Sequence, residues 1–130
     1  MNAQHVTPST TTMKILVVDD DVMITTVLRD LLAGYDVTVL NNPRQAADLL
    51  ETTQSDVLAT DYRMPGMTGV ELCQVKNMVQ PLCKSLMLTG ETNTDGMREA
   101  GRMDVLLNKP PRWTVLLGHM TAWDEERQSR

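Results

Sequence analysis

Five short apolar runs punctuate the chain, at residues 15–18, 37–40, 57–60, 86–88 and 105–107. They are too brief for helices and rich in branched side chains, which predicts strands buried on both faces of a sheet. Between them the apolar positions change period. Ile24, Val27, Leu28, Leu31 and Leu32 recur at i, i+3, i+4, i+7 and i+8 and predict a helix, with Gly34 as its C-terminal stop. Asn42-Pro43 predicts the start of a second helix, with Asn as cap and Pro in the first turn. Thr68 and Glu71 have capping-box spacing ahead of Val70, Leu72, Val75 and Val79. A short, weakly marked helix is expected after residues 92–95, and Trp113, Leu116, Leu117, Met120 and Trp123 mark one side of a last helix.

Strand and helix thus alternate along the whole chain. Such a pattern predicts an α/β doubly wound fold, a parallel sheet with helices on both faces. Residues 1–12 are polar, with Pro8 and a Ser/Thr run, and are expected to form a disordered leader. Residues 13–124 are expected to form one domain, and residues 125–130 a charged tail that frays. The pattern contains no internal repeat and no second domain.

Composition adds bounds rather than new elements. A chain of 130 residues buries a single core, and 42% hydrophobic with 22% charged residues is ordinary for a globular protein. The core must be unusual, because there is no Phe and ten Met take over the filling role. A net charge of -5 without any block of Lys or Arg argues against direct nucleic-acid binding by this domain. Cys73 and Cys83 are too few for a disulfide framework or a zinc site, and are expected to be reduced and buried. No apolar run has membrane-spanning length and the N-terminus lacks a secretory pattern, so the expected location is the cytoplasm, with no membrane partner.

In a doubly wound sheet, ligands bind at the C-terminal ends of the strands. The residues expected there are Asp19, Asp20 and Asp21 after the first strand, Asp61 at the third, Thr89 at the fourth and Lys109-Pro110 at the fifth. Clustered carboxylates raise one another's pKa unless a cation sits among them. Oxygen-only donors select a hard ion, and few ligands with room for water favour Mg2+. A carboxylate beside such an ion, facing an ammonium and a hydroxyl, suits phosphoryl transfer, which needs positioning and charge neutralisation. Each residue also has a plainer reading. Asp21, entering a helix, reads best as an N-cap. Asp19 and Asp20 are also possible turn residues, Asp61 a loop acid before Met64-Pro65-Gly66, Thr89 an ordinary strand-end hydroxyl and Lys109 a solvated charge. His5 and His119 lie outside the cluster, and the two Trp read as packing.

The segments Ile15-Leu16-Val17-Val18-Asp19-Asp20-Asp21, Asp61-Tyr62-Arg63-Met64-Pro65-Gly66-Met67-Thr68-Gly69, Leu88-Thr89-Gly90 and Lys109-Pro110 resemble, in order, the signatures of two-component response-regulator receivers. The resemblance runs from Met13 to about Trp123. It implies a flavodoxin-like (βα)5 fold with strand order 2-1-3-4-5. It implies Asp61 as phosphoacceptor and Mg2+ (or Mn2+) held by Asp20, Asp61, the backbone carbonyl of Arg63 and, through water, Asp19. Thr89 would bond a phosphoryl oxygen, with Gly90 leaving access, and Lys109 would pair with the phosphoryl charge ahead of a cis Lys109-Pro110 bond. The implied donor is a sensor histidine kinase or a histidine phosphotransfer protein, and the implied output a change in contacts with a downstream protein effector. The implied role is that of a signalling phosphoacceptor rather than an enzyme acting on other substrates.

Two departures stand out. Receivers often carry Tyr or Phe three residues before the lysine, where this chain has Leu106, and an aromatic after Lys-Pro, where it has Pro111 and Arg112. Signalling would then fall to Thr89 and the short segment 90–109. Arg63 and Glu91 each lie two residues past a site residue and are expected to face one another across the entrance. Three other functions stay open: a module of a larger regulator or hybrid kinase, a pseudo-receiver, and an aspartyl-phosphate phosphatase. The last would use Asp19 and Asp21 in the Asp-x-Asp spacing of the haloacid dehalogenases, although Met23 stands where that family has Thr or Val.

Overall fold

The computed structural model describes residues 11–129; residues 1–10 of the expected leader lie outside them. The elements are β1 (Lys14–Val18), α1 (Val22–Leu31), β2 (Asp36–Leu40), α2 (Pro43–Thr52), β3 (Val57–Asp61), α3 (Gly69–Val79), β4 (Lys84–Thr89), α4 (Met97–Gly101), β5 (Val105–Asn108) and α5 (Trp113–Gln128). The strands are parallel throughout, in the order β2-β1-β3-β4-β5. The order therefore reverses between β1 and β3, which opens a crevice at their C-terminal ends.

The period of two along each strand sorts the core into two layers. Ile15, Val17, Val57, Ala59, Leu86 and Leu88 pack with Leu28 of α1 and with Leu116 and Met120 of α5. Leu16, Val18, Leu58 and Met87 face the other way, toward Ala46 and Leu50 of α2 and Leu72 and Cys73 of α3. The three inner strands read as near-continuous buried runs. The expectation of strands buried on both faces fails for β2 and β5, which are half exposed because they form the two edges.

Local signals set most helix starts. Asp21 caps α1, its carboxylate accepting from Met23 N at 2.9 Å. Asn42 caps α2 with Pro43 following, and Thr68 and Glu71 form both halves of a capping box on α3. Gly34 does not stop α1. The helix ends at Leu31 with Leu32 as its cap, Leu32 N still donating to Leu28 O at 2.9 Å, and Gly34 lacks a left-handed backbone. Val27, expected to point inward, is exposed; Thr25 is buried in its place, its hydroxyl donating to Val22 O at 3.0 Å.

Further departures concern α3, α4 and the C-terminus. The buried face of α3 is Gly69, Leu72, Cys73 and Lys76, so the predicted stripe is rotated and Val79 is exposed. Lys76 is only 2% exposed, and its ammonium donates to Cys83 O at 2.5 Å. The short fourth helix is present as α4, between left-handed Gly96 and Arg102. Two amides of α3 satisfy its last carbonyls, Gln74 donating to Ala100 O at 2.9 Å and Asn77 to Gly101 O at 2.8 Å. The expected fraying beyond Asp124 is not seen. Residues 125–128 continue α5 because Arg127 is buried, bonded to Asp124 Oδ1 at 2.8 Å and to Thr11 O. Cys73 and Cys83 are free and buried, as expected. No helix of the described residues is long and apolar enough to cross a membrane.

Candidate functional site

Asp19 directly follows β1, Asp61 ends β3, Thr89 ends β4 and Lys109 directly follows β5. Backbone bonds continue the ladder past the strand ends and fix these residues in register. Asp19 N donates to Leu40 O at 3.2 Å, Tyr62 N to Leu88 O at 3.0 Å and Lys109 N to Thr89 O at 2.8 Å. The Lys109-Pro110 bond is cis.

Asp19, Asp20 and Asp61 each place a carboxylate oxygen within 4.8 Å of the others. Asp19 and Asp61 are buried, whereas Asp20 is exposed at the rim. Lys109 Nζ reaches both buried carboxylates, 2.9 Å from Asp61 Oδ1 and 3.1 Å from Asp19 Oδ2. Asp61 Oδ1 also accepts from Tyr62 N at 2.9 Å, and among the described residues nothing donates to Asp61 Oδ2. One oxygen is thus held and the other is left for chemistry.

Burial raises the Asp19 carboxyl above its ordinary range and the Asp61 charge adds to this, against the Asp21 N–H and Lys109. Burial alone would lower the Lys109 ammonium, but its bonds to Asp61 and Asp19 outweigh that and hold it above its usual value. Three carboxylates served by one ammonium retain an excess of negative charge. An all-oxygen donor set of this kind, with one rim carboxylate open to water, fits a hard divalent cation.

The remaining predicted residues surround this cluster. Thr89 is buried, and its Oγ1 accepts from Glu91 N at 3.0 Å, so its own proton stays available to an acceptor. Arg63 and Glu91 do face one another: Nη2 and Nε both lie against Glu91 Oε2, at 3.0 and 3.1 Å. The guanidinium also stands 5.8 Å from the Tyr62 ring centroid. Asp21 Oδ1 is engaged in its cap, accepting from Met23 N at 2.9 Å, and Asp21 is not one of the three clustered carboxylates, so nothing here supports the Asp19/Asp21 pairing of the phosphatase alternative. His119 packs on Trp123 in α5, with ring centroids 5.7 Å apart.

The sequence profile described as "Response regulator receiver domain" matches residues 15–117. The chain belongs to this family. The receiver is 35% identical over 80 residues to the alkaline phosphatase synthesis transcriptional regulatory protein PhoP of Bacillus subtilis, covering 60% of this chain and 33% of that protein. Over 98 residues it is 35% identical to the transcriptional regulatory protein ZraR of Klebsiella oxytoca, covering 72% of this chain and 22% of that one. The receiver therefore spans about a third or less of these curated relatives. Among solved structures, the signal receiver domain of an HD domain-containing protein from Pseudomonas fluorescens Pf-5 superposes with a TM-score of 0.86 at 25% identity, covering 95% of both chains. The chemotaxis response regulator CheY4 of Vibrio cholerae gives a TM-score of 0.78 at 30% identity, covering 87% of this chain and 99% of that one.

Three contributors to the receiver site were not legible in its sequence. Gly69 lies so close to the end of β3 that an added Cβ would stand 2.2 Å from Asp61 O and 2.8 Å from Met87 Sδ. Its N–H donates to Tyr62 O at 2.7 Å, pinning the start of α3 to the end of β3. Glu91 N, holding the Thr89 hydroxyl, belongs to a loop without a pattern. Asn41 touches the Asp19 backbone from the end of β2. Gly69 closes the segment from Asp61 that resembles the family, but nothing in that segment showed this contact; the other two left no signal.

Proposed function

We propose that this receiver accepts a phosphoryl group on Asp61 from the phosphohistidine of a sensor histidine kinase or a histidine phosphotransfer protein. Mg2+ (or Mn2+) would be held by Asp20, Asp61, the Arg63 backbone carbonyl and, through water, Asp19. The observation that carries this reading is Lys109 Nζ at 2.9 Å from Asp61 Oδ1, in a cluster where Asp19, Asp20 and Asp61 each place a carboxylate oxygen within 4.8 Å of the others. The other Asp61 oxygen attacks phosphorus, the phosphorus–nitrogen bond breaks, and the leaving imidazole nitrogen recovers its electron pair. Thr89 donates to one phosphoryl oxygen and Lys109 pairs with another, so charge is met by groups already in place. The bound cation supplies neutralisation of the remaining charge.

A phosphoryl group adds about -1.5 to -2 charge at neutral pH, enough to draw the Thr89 hydroxyl inward. Thr89 is tied to Glu91, and Glu91 to Arg63, so this movement loads the loop after β4. Leu106 provides no ring to swing, and the output runs through residues 90–109 to altered contacts with a downstream protein. The module reading is compatible with the comparisons, since the receiver covers 36% of the DNA-binding response regulator MtrA of Mycobacterium tuberculosis, but coverage of 99% of the CheY4 chain suits a separate protein equally well.

The test is incubation with acetyl phosphate and Mg2+, followed by intact-mass measurement of the wild type and Asp61→Asn. A single phosphoryl adduct on the wild type alone is expected. An adduct on both proteins, or on neither, sinks the assignment.

A further inference from the structure

Asn41 stands just past the end of β2, at the opposite side of β1 from Asp61. Its amide nitrogen donates to Asp19 O at 2.8 Å and to Thr25 Oγ1 at 3.4 Å. Both partners are acceptors in these contacts, because the Thr25 hydroxyl already gives its proton to Val22 O at 3.0 Å. The orientation of the Asn41 amide is thereby fixed: turned over, its oxygen would meet a carbonyl oxygen.

Asp19 O belongs to the peptide that joins Asp19 to Asp20. A peptide is planar, so holding its oxygen sets the plane from which the Asp20 side chain departs. Asp20 needs that help. It is exposed, it sits among like charges, and among the described residues its carboxylate makes no hydrogen bond or ion pair. The other restraints flank this turn, Asp19 N donating to Leu40 O at 3.2 Å before it and Asp21 N donating to Asp19 Oδ1 at 2.9 Å after it, and neither holds the peptide oxygen between Asp19 and Asp20.

We infer that Asn41 is a positioning residue for the cation site: it fixes the Asp19–Asp20 peptide so that Asp20 stays directed at Asp61. The inference rests on the divalent-cation reading above. Asn41 touches neither the cation nor the phosphoryl group. It lowers the cost of gathering three carboxylates by reducing the freedom of the one whose side chain has no partner of its own among the described residues.

The experiment is calorimetric titration of MgCl2 into the wild type, Asn41→Leu, Asn41→Ser and Thr25→Val, beside urea denaturation of each in EDTA. Leu matches Asn in shape without a donor, and Ser is too short to reach Asp19 O. Both Asn41 variants are expected to bind Mg2+ about tenfold more weakly, as for loss of an outer-shell partner, while Thr25→Val stays within about twofold. Their urea midpoints in EDTA are expected to stay close to the wild type, since the group removed is at the surface. Mg2+ affinity in Asn41→Leu and Asn41→Ser equal to the wild type overturns the role of Asn41. So does a loss that tracks the urea midpoint equally in all three variants, which marks a merely structural effect. A wild type with no Mg2+ affinity overturns the cation reading itself, and the inference with it.

Discussion

Lys109 Nζ lies 2.9 Å from Asp61 Oδ1 and bridges to Asp19 Oδ2 at 3.1 Å, so one ammonium holds two buried carboxylates apart from water. Removing it leaves like charges facing each other with no compensation. Lys109→Met is expected to lose about 2–3 kcal/mol in EDTA, somewhat less than a fully buried pair, because the lysine is partly exposed. On the proposed reading, Mg2+ would bind the folded state only and would replace the missing positive charge. Millimolar Mg2+ is therefore expected to restore much of the loss, by more than it stabilises the wild type. Urea titrations of both proteins with and without MgCl2 check this; an equal Mg2+ increment in the two proteins contradicts it.

The Arg63–Glu91 pair spans the entrance between the ends of β3 and β4. It is exposed, with the Arg63 side chain at 74% and Glu91 at 36%, so it contributes under about 1 kcal/mol to folding. Its expected effect is kinetic: the paired side chains obstruct the approach of water to phosphorus. Arg63→Ala and Glu91→Ala should each shorten the life of the aspartyl phosphate, and the double variant should add little to either single one. Dephosphorylation rates measured after removal of the phosphodonor decide the matter. Unchanged rates in both single variants rule the idea out.

What could be read from the sequence was whatever a local pattern encodes. The apolar runs of β1, β3 and β4 are sandwiched between helices, and their continuity marks them. The caps at Asp21, Asn42 and Thr68 are made by each residue's own side chain accepting from backbone N–H groups two or three residues on. The residues Asp19, Asp61, Thr89 and Lys109 were found because each follows an apolar run. Long-range partners were hidden. Nothing near Lys76 announces a buried ammonium, whose partner Cys83 O comes from the next loop and strand. The end of α1 lies at Leu31, three residues short of Gly34, which has no left-handed backbone and only looks like a stop. Edge strands β2 and β5 look like inner strands until the order of the sheet is known.

Gly69 and Gly118 make a paired test of close approach. A Cβ at Gly69 would enter the Asp61 carbonyl, whereas one at Gly118 meets nothing within 4 Å. Gly69→Ala is expected to cost about 1–3 kcal/mol as α3 is forced from β3, and to slow phosphorylation because Asp61 moves with its strand. Gly118→Ala, within α5, is expected to stabilise by up to about 1 kcal/mol through helix propensity alone. Urea denaturation gives both values, and acetyl phosphate kinetics gives the second effect of Gly69→Ala. Equal stability changes in the two variants would falsify the close-contact explanation.

Alkaline pH should weaken the fold, and the buried thiols supply the sign. Burial pushes Cys73 up to about 11 and Cys83 up to about 12, from an ordinary value of 9.0. Between pH 9 and those values the unfolded chain has released the thiol protons while the folded chain still holds them. Stability then falls as pH rises, because the folded state binds more protons than the unfolded one. Lys109 acts in the same direction: its folded value lies above 10.5, so its contribution is complete below that pH and is lost as pH climbs through the folded value. Urea midpoints should therefore decline from pH 9 upward, and Cys73→Ala with Cys83→Ala should flatten that slope even where it lowers stability at pH 7. The native thiols should also resist Ellman's reagent at pH 8, reacting only as the chain opens. Rapid labelling of either cysteine in the folded protein, or a slope unchanged in the double variant, removes the thiols from this account.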